Sequence, residues 1–293
     1  PAEAALGAIR RAQPSGACIG VEQQTMFWPL GVWQRMRDGL PGARWADGSG
    51  IVEPLRAVKS ETEIAWVREA AAASDRAMQA GITAAAQGVS ERELAATIYQ
   101  EMILAGSEYP GFVPLIRTTR NLHQEHVTWS GHRLQRGELL FLELSASVAR
   151  YHAPETRMVN IGRAPADTER AASLALAGLE AIRAALRPGV TAGHVYATWQ
   201  EVVDKGLGHQ NYRRHHCGYL VGIGFPPSWV GGSAVVGLRP GSDLVIREGM
   251  VFHILSWVLG QLGADHGLSD TALVTANGCE LLTTTSRTPL CIS

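Results

Sequence analysis

Net charge, cysteine and long apolar runs are all scarce in this sequence. With 26 Lys and Arg against 27 Asp and Glu, the 293 residues carry a formal charge of -1 at pH 7, so no long-range field draws the chain to nucleic acid or to an anionic membrane. No apolar run approaches the roughly 20 residues of a membrane span. The opening Pro1-Ala-Glu-Ala has no basic stretch ahead of an apolar one, so no signal peptide is expected. Cys18, Cys217, Cys279 and Cys291 lie far apart and form no CxxC pair. That spacing argues against a zinc site or a disulfide framework and for a reducing cytoplasm. Cys217 reads as a small buried thiol before it reads as a nucleophile.

What is present is an ordinary globular composition, 46% hydrophobic and 18% charged, long enough to bury a large core in one big domain or two smaller ones. Residues 1–50 look like a fragment of a domain: a short strand from Ala17, a helix-like run from Trp28 to Arg37, and a second strand at Ala43-Arg-Trp-Ala-Asp. Helix starts follow. Ser60 with Glu63 and Ser90 with Glu93 form capping boxes, Asp167 is placed to cap a third helix, and a fourth runs from Thr191 to about Lys205. Gly88-Val-Ser-Glu-Arg-Glu-Leu-Ala-Ala-Thr aligns without a gap on Gly189-Val-Thr-Ala-Gly-His-Val-Tyr-Ala-Thr, and the strand after Gly137 echoes the strand after Gly249. A repeat of about 100 residues is too long for a solenoid and implies two αβ halves related by a pseudo-twofold.

The most informative segment is Glu143-Leu-Ser-Ala-Ser-Val-Ala-Arg-Tyr-His-Ala-Pro-Glu-Thr-Arg157. It resembles the strand pair that carries two metal-binding aspartates in the pita-bread hydrolases, the family of prolidase, aminopeptidase P and methionine aminopeptidase. That resemblance implies an α+β pita-bread fold over residues 51–293, preceded in residues 1–50 by the last part of a creatinase-like N-terminal domain, so the natural protein is expected to begin upstream of Pro1. It also implies five metal-ligand positions, which here hold Glu143, Pro154, Tyr219, Leu255 and Ser269. At most one of these can bind a hard or borderline divalent ion. No metal and no other cofactor are therefore expected, and the chain resembles the metal-free branch that contains the creatinases and the ectoine hydrolases. Tyr109-Pro, His126-Val-Thr-Trp, Arg150-Tyr-His-Ala-Pro, Gly218-Tyr219, Phe225-Pro-Pro-Ser-Trp229 and Phe252-His253 resemble the ectoine hydrolases more than the creatinases.

The resemblance implies hydrolytic opening of a cyclic amidine to an N-acetylated 2,4-diaminobutyrate, in a homodimer acting on a small molecule. His126 takes the position of the acid/base histidine, and Glu143 that of a carboxylate gripping a cationic nitrogen group. A Glu143 paired with Arg157 or Arg150 is the structural alternative. Tyr151 and His152 point to opposite faces of one strand, and His152 is favoured for the pocket. Glu155 stands one residue from where creatinase has a glutamate, Arg157 reads as structural, and Tyr219 and His253 replace or adjoin lost ligands. Trp229, held by two prolines, and Trp257, able to stack on a flat cation, complete the substrate-binding candidates. A creatinase-like guanidine hydrolase, another amidine-processing or biosynthetic enzyme, and a non-catalytic binding protein remain open alternatives.

Overall fold

The computed structural model describes residues 1–12, 18–25, 28–230 and 235–292, and these form two compact units, Pro1–Arg56 and Ala57–Gly231 with Val235–Ser293. The first unit holds α1 (Ala2–Ala12), β1 (Cys18–Val21), α2 (Leu30–Gly39) and β2 (Arg44–Asp47). β1 and β2 run parallel, Cys18 opposite Arg44, with α2 as the crossover that parallel strands require. Ala2, Leu6 and Met36 form its small core with Trp28, Val32 and Trp45. Ala17, the expected strand start, lies outside the described residues. α1 has no cap signal in the sequence, and its register comes from packing Leu6 into that core. α3 (Glu53–Ala57) follows.

The second unit is built twice over. α4 (Glu61–Ala84), α5 (Glu91–Leu104), β3 (Leu115–Thr118), β4 (Leu139–Val148) and β5 (Tyr151–Ile161) are followed by α6 (Thr168–Ala185), α7 (Ala192–Leu207), β6 (Gly218–Leu220), β7 (Val251–Val258) and β8 (His266–Thr275). Two short strands, β9 (Gly278–Leu281) and β10 (Leu290–Ile292), then pair with β8 and β5. The main sheet runs β3-β4-β5-β8-β7-β6, a palindrome whose centre is the β5–β8 pair. The repeated motif explains the symmetry. Gly88 and Gly189 both take positive φ, +88° and +87°, and their N–H groups donate to Leu134 O and Ile246 O at 2.8 and 3.0 Å. Each turn thereby ties its helix pair to the segment leading into the central strands of its half.

Both capping boxes close as expected: Ser60 and Ser90 accept from the N–H of Glu63 and Glu93, whose carboxylates accept in return. Thr191 caps α7 through the His194 N–H. Asp167 precedes α6, but its side chain makes no cap bond. Its backbone sits at φ -84°, ψ 6°, outside the extended region from which a cap side chain reaches the first turn.

Strand alternation divides the sheet. Leu140, Leu142, Leu144, Val159 and Ile161 pack against α4 and α5, while Phe252, Ile254 and Leu268 pack against α6 and α7. Intervening residues occupy the opposite face. Among the described residues no helix is long and apolar enough to cross a membrane. Contact between α6 and the sheet is close at Gly178, where an added Cβ would lie 2.3 Å from Ser256 Oγ and 3.1 Å from the Trp199 ring. Gly178→Ala is expected to cost about 1–3 kcal/mol through overpacking, displacing the Ser256 hydroxyl that accepts from Trp199 Nε1. Urea denaturation at unchanged m-value measures it.

Candidate active site

Register sets which side chains meet. Leu115 lies opposite Glu143, Glu143 opposite Thr156, Thr156 opposite Ser269, and Ser269 opposite Leu255. Directly opposed residues share a face, so this row crosses five strands on the face away from the helices. One step of two along each strand adds Arg117 and Phe141, and on the far side Trp257. A step the other way adds Pro154, His253 and Tyr219. His126 stands outside the sheet, in the turn between β3 and β4.

Two of the expected ligand positions, Tyr219 and Ser269, hold neutral groups that belong to a line of hydrogen bonds. Trp229 Nε1–H donates to Tyr219 OH at 3.0 Å. Tyr219 OH lies 2.8 Å from His253 Nδ1, His253 Nε2 lies 2.6 Å from Ser269 Oγ, and Ser269 Oγ donates to Thr156 Oγ1 at 2.7 Å. Indole offers only a donor, so Tyr219 accepts from it and gives its own hydrogen to His253 Nδ1. His253 is then the Nε2–H tautomer, donating to Ser269. Burial holds the His253 imidazole well below its ordinary range and, together with the nearby Glu143 charge, pushes the Tyr219 phenol up. The line stays uncharged.

Glu143 is 5% exposed and accepts no hydrogen bond from a described residue. Burial raises its carboxyl to about 7 against the pull of Arg117, with Glu125 adding to the rise and Arg214 opposing it. Neither Arg150 nor Arg157 reaches it. Arg150 is held by Gly224 O and lies over the Tyr109 and Phe225 rings. Arg157 bonds Asp270 at 2.9 Å on the helix side of the sheet.

The charge near Glu143 comes from Arg117, which sequence reasoning missed. Arg117 is fully buried, with its guanidinium 3.8 Å from the Phe141 ring centre. It donates to Leu122 O and Gln124 O, the backbone just before Glu125 and His126, and its Nε and Nη2 find no partner among the described residues. The available signal was a lone arginine at an alternating position in Leu-Ile-Arg-Thr.

His126 is exposed, stacked on Phe112 at 5.3 Å, and Phe112 meets Trp229 edge-on at 4.8 Å. Beside it Glu125 pairs with Arg214 at 2.9 Å. Burial would raise Glu125, but the Arg214 charge and hydrogen bond, with His215 and His126, hold it lower. Arg214 was missed too. It lies over the Trp257 ring at 4.6 Å, so the cation expected on Trp257 is supplied by the protein itself.

Other expected residues lie elsewhere. Tyr151 faces α4, its hydroxyl bonding Glu63 and its ring against Trp66. Glu155 also faces the helices, 3.3 Å from Arg157, and burial raises it to about 8 against that charge. Both belong to the half of the β5 alternation that points away from Glu143, so neither joins the substrate-facing set. His152 shares the face of Glu143 but accepts the Gly111 N–H at Nε2 (2.8 Å) and turns Nδ1 toward Gly222 O. Burial lowers it to about 4, and it clamps two loops. Cys217 is buried in the α6–α7 core with its thiol pushed up by burial.

This donor set does not fit a pair of metal ions. Pro154 and Leu255 offer no donor atom, and Tyr219 and Ser269 are engaged in the line. Among the described residues no three His, Cys, Asp or Glu side chains gather as a metal would need.

Comparison with known proteins is consistent with this frame. The model of the metallopeptidase family M24 matches residues 65–276. Ectoine hydrolase of Halomonas elongata is 31% identical over 278 residues, 90% of this chain and 67% of that protein. An Xaa-Pro dipeptidase of Pyrococcus furiosus is 29% identical over 238 residues, 81% of this chain and 66% of that protein. Among solved structures, an X-Pro aminopeptidase from Thermotoga maritima superposes with a TM-score of 0.85 at 20% identity, covering 99% of this chain and 78% of that one. The prolidase from Pyrococcus horikoshii superposes at 0.84 and 24% identity, covering 96% and 78%. These likenesses establish the pita-bread fold.

Arg117→Met should loosen the turn that carries Glu125 and His126. Loss of charge-assisted bonds to two carbonyls is expected to cost about 3 kcal/mol, read by urea denaturation. Without the Arg117 charge, Glu143 should titrate higher than in the parent protein, which carbon NMR of the labelled carboxyl would follow.

Proposed function

The chain belongs to the metallopeptidase family M24, whose members are hydrolases, and within it we propose a metal-independent hydrolase that opens a cyclic amidine of the ectoine type. The observation that carries this reading is Glu143: a buried carboxylate without a hydrogen-bond partner among the described residues, on the face where the resemblance expects a metal. A cationic substrate group supplies the partner that the protein does not.

An amidinium carries its own positive charge, so its central carbon is electrophilic without a Lewis acid. Glu143 accepts hydrogen bonds from the amidinium N–H groups. His126 takes a proton from water as the water oxygen bonds to that carbon. The tetrahedral carbon then breaks its bond to one ring nitrogen, which receives the proton from His126, while the hydroxyl releases its remaining proton to solvent as the C=O forms. The product is a ring-opened amine bearing an N-acyl group, and atoms balance with one water consumed. Tyr219, His253, Trp229 and Trp257 shape the face around the substrate without exchanging protons with it. A creatinase-like guanidine hydrolase would use the same contacts on an acyclic substrate, and turnover of ectoine against creatine separates the two. A homodimer is part of the proposal, and light scattering of the full-length protein tests it.

Three outcomes are expected. The purified protein should hold no stoichiometric zinc, manganese, cobalt or iron. About two tightly bound metals per chain by elemental analysis, with activity lost on chelation, would sink the reading. His126→Ala should lower kcat by roughly a hundredfold to ten-thousandfold with little change in KM, whereas Glu143→Gln should damage both, circular dichroism first showing each variant folded. pH dependence follows from Glu143. Its carboxyl is raised to about 7, so the free protein holds it protonated below that value and charged above. Only the charged form grips a cation, so kcat/KM should fall as pH drops through about 7, and Glu143→Gln should remove that limb.

A further inference from the structure

The line of hydrogen bonds from Trp229 has a direction, and its far end is unused. Trp229 can only donate. Its N–H goes to Tyr219, the Tyr219 hydrogen to His253 Nδ1, the His253 Nε2 hydrogen to Ser269, and the Ser269 hydrogen to Thr156. The reverse orientation would leave Tyr219 accepting from both Trp229 and His253, with no acceptor among the described residues for its own hydrogen. Thr156 Oγ1 therefore accepts from behind and keeps its own O–H to give. No described residue takes it: the one hydrogen bond of Thr156 Oγ1 is the one from Ser269.

Thr156 stands directly across the strand pair from Glu143. Opposed side chains on one face have Cβ atoms about 4.5–5.5 Å apart, and no hydrogen bond joins these two. A donor without an acceptor thus faces an acceptor without a donor across one strand pair, an arrangement that a bridging water completes.

We propose that Thr156 is a catalytic residue whose hydroxyl, oriented by the Trp229–Tyr219–His253–Ser269 line, holds the nucleophilic water against Glu143 and donates to its oxygen as that oxygen adds to the substrate carbon. Thr156 keeps its proton throughout. The water proton leaves to the base, and the Thr156 donor keeps the oxygen aimed at the carbon as the new C–O bond forms. His253 and Ser269 are positioning residues that act through Thr156. The line takes over a task that bound metals perform in metallohydrolases, presenting a water at a fixed point, with a chain of neutral donors. This inference rests on the hydrolase reading above.

The test pairs structure with kinetics. A high-resolution crystal structure of the ligand-free protein should show an ordered water within hydrogen-bond reach of both Thr156 Oγ1 and Glu143, and Thr156→Val, which keeps the shape and removes the donor, should lose it. Absence of that water from the parent protein overturns the proposal whatever the substrate proves to be. On the amidine, Thr156→Val should lower kcat by about 100-fold, the scale of effect expected when a reacting group is misplaced by about an ångström, with KM within about twofold. Thr156→Ser should recover most of the loss. Equal kcat in Thr156→Val and parent overturns the proposal. A parent protein that opens no amidine defeats the amidine reading instead, and the crystallographic water still decides the role of Thr156.

Discussion

One strand pairing holds the molecule and its chemistry together. β5 and β8 are the last strands of two similar halves, and they meet with Thr156 opposite Ser269. A shift of one residue at that seam would turn every side chain of one half to the other face. The seam puts Glu143 from the first half on the same face as Ser269, His253 and Tyr219 from the second. It also confines Glu155, Arg157 and Asp270 to the helix side, where they form a buried ionic group with Arg287. Two sets of polar residues that alternate along the same strands therefore serve separate ends, one lining the face of Glu143 and one holding helices to sheet.

Neutral side chains at the family's ligand positions raise a physical question: what satisfies the polar face of the sheet? A buried polar group without a partner costs free energy, and a buried charge costs far more. The answer here is neutrality. Tyrosine, histidine, serine and threonine bond in series, and burial keeps His253 deprotonated. Besides the buried Arg117, Glu143 departs from this pattern. Its raised carboxyl is the mark of a charge that the fold does not fully compensate, which is the condition for gripping a cation rather than storing a structural ion pair. Xaa-Pro dipeptidases of similar fold and the ectoine hydrolase relative show that the same frame serves more than one substrate class, so residues on this face, and not the frame, decide the chemistry.

The loop before β4 links the rim to the interior. Arg117 binds its backbone at Leu122 and Gln124, and Arg214 binds Glu125 while lying on Trp257. His126 is thus carried by a turn fastened at two points by arginines, each also lying against an aromatic ring. Stacking suits arginine because its guanidinium is flat and weakly hydrated. Both arginines were invisible to motif reasoning because their partners are backbone carbonyls, ring faces and a carboxylate distant in sequence.

Much was legible in the chain itself. Capping boxes at Ser60 and Ser90 mark helix starts because they are local: donor and acceptor lie three residues apart. The Gly88 and Gly189 matches disclose the repeat because positive φ restricts those positions. Pro154 and Leu255 exclude metal donors by composition alone, needing no coordinates. The strand pair at Glu143–Arg157 suggested the pita-bread frame that the comparisons then established. Asp167 misled because an N-cap needs an extended backbone as well as the right side chain. Tyr151 and Glu155 could be assigned a side only once β5 was paired, since alternation says that neighbours differ in face but not which face meets the helices. Likewise, the order Trp229, Tyr219, His253, Ser269, Thr156 spans residues more than a hundred positions apart. The sequence alone determined the local geometry and the lost metal donors, because those depend on neighbours along the chain. Which charges meet and which hydroxyl is left to donate were decided by strand register and burial, which exist only after the chain has folded.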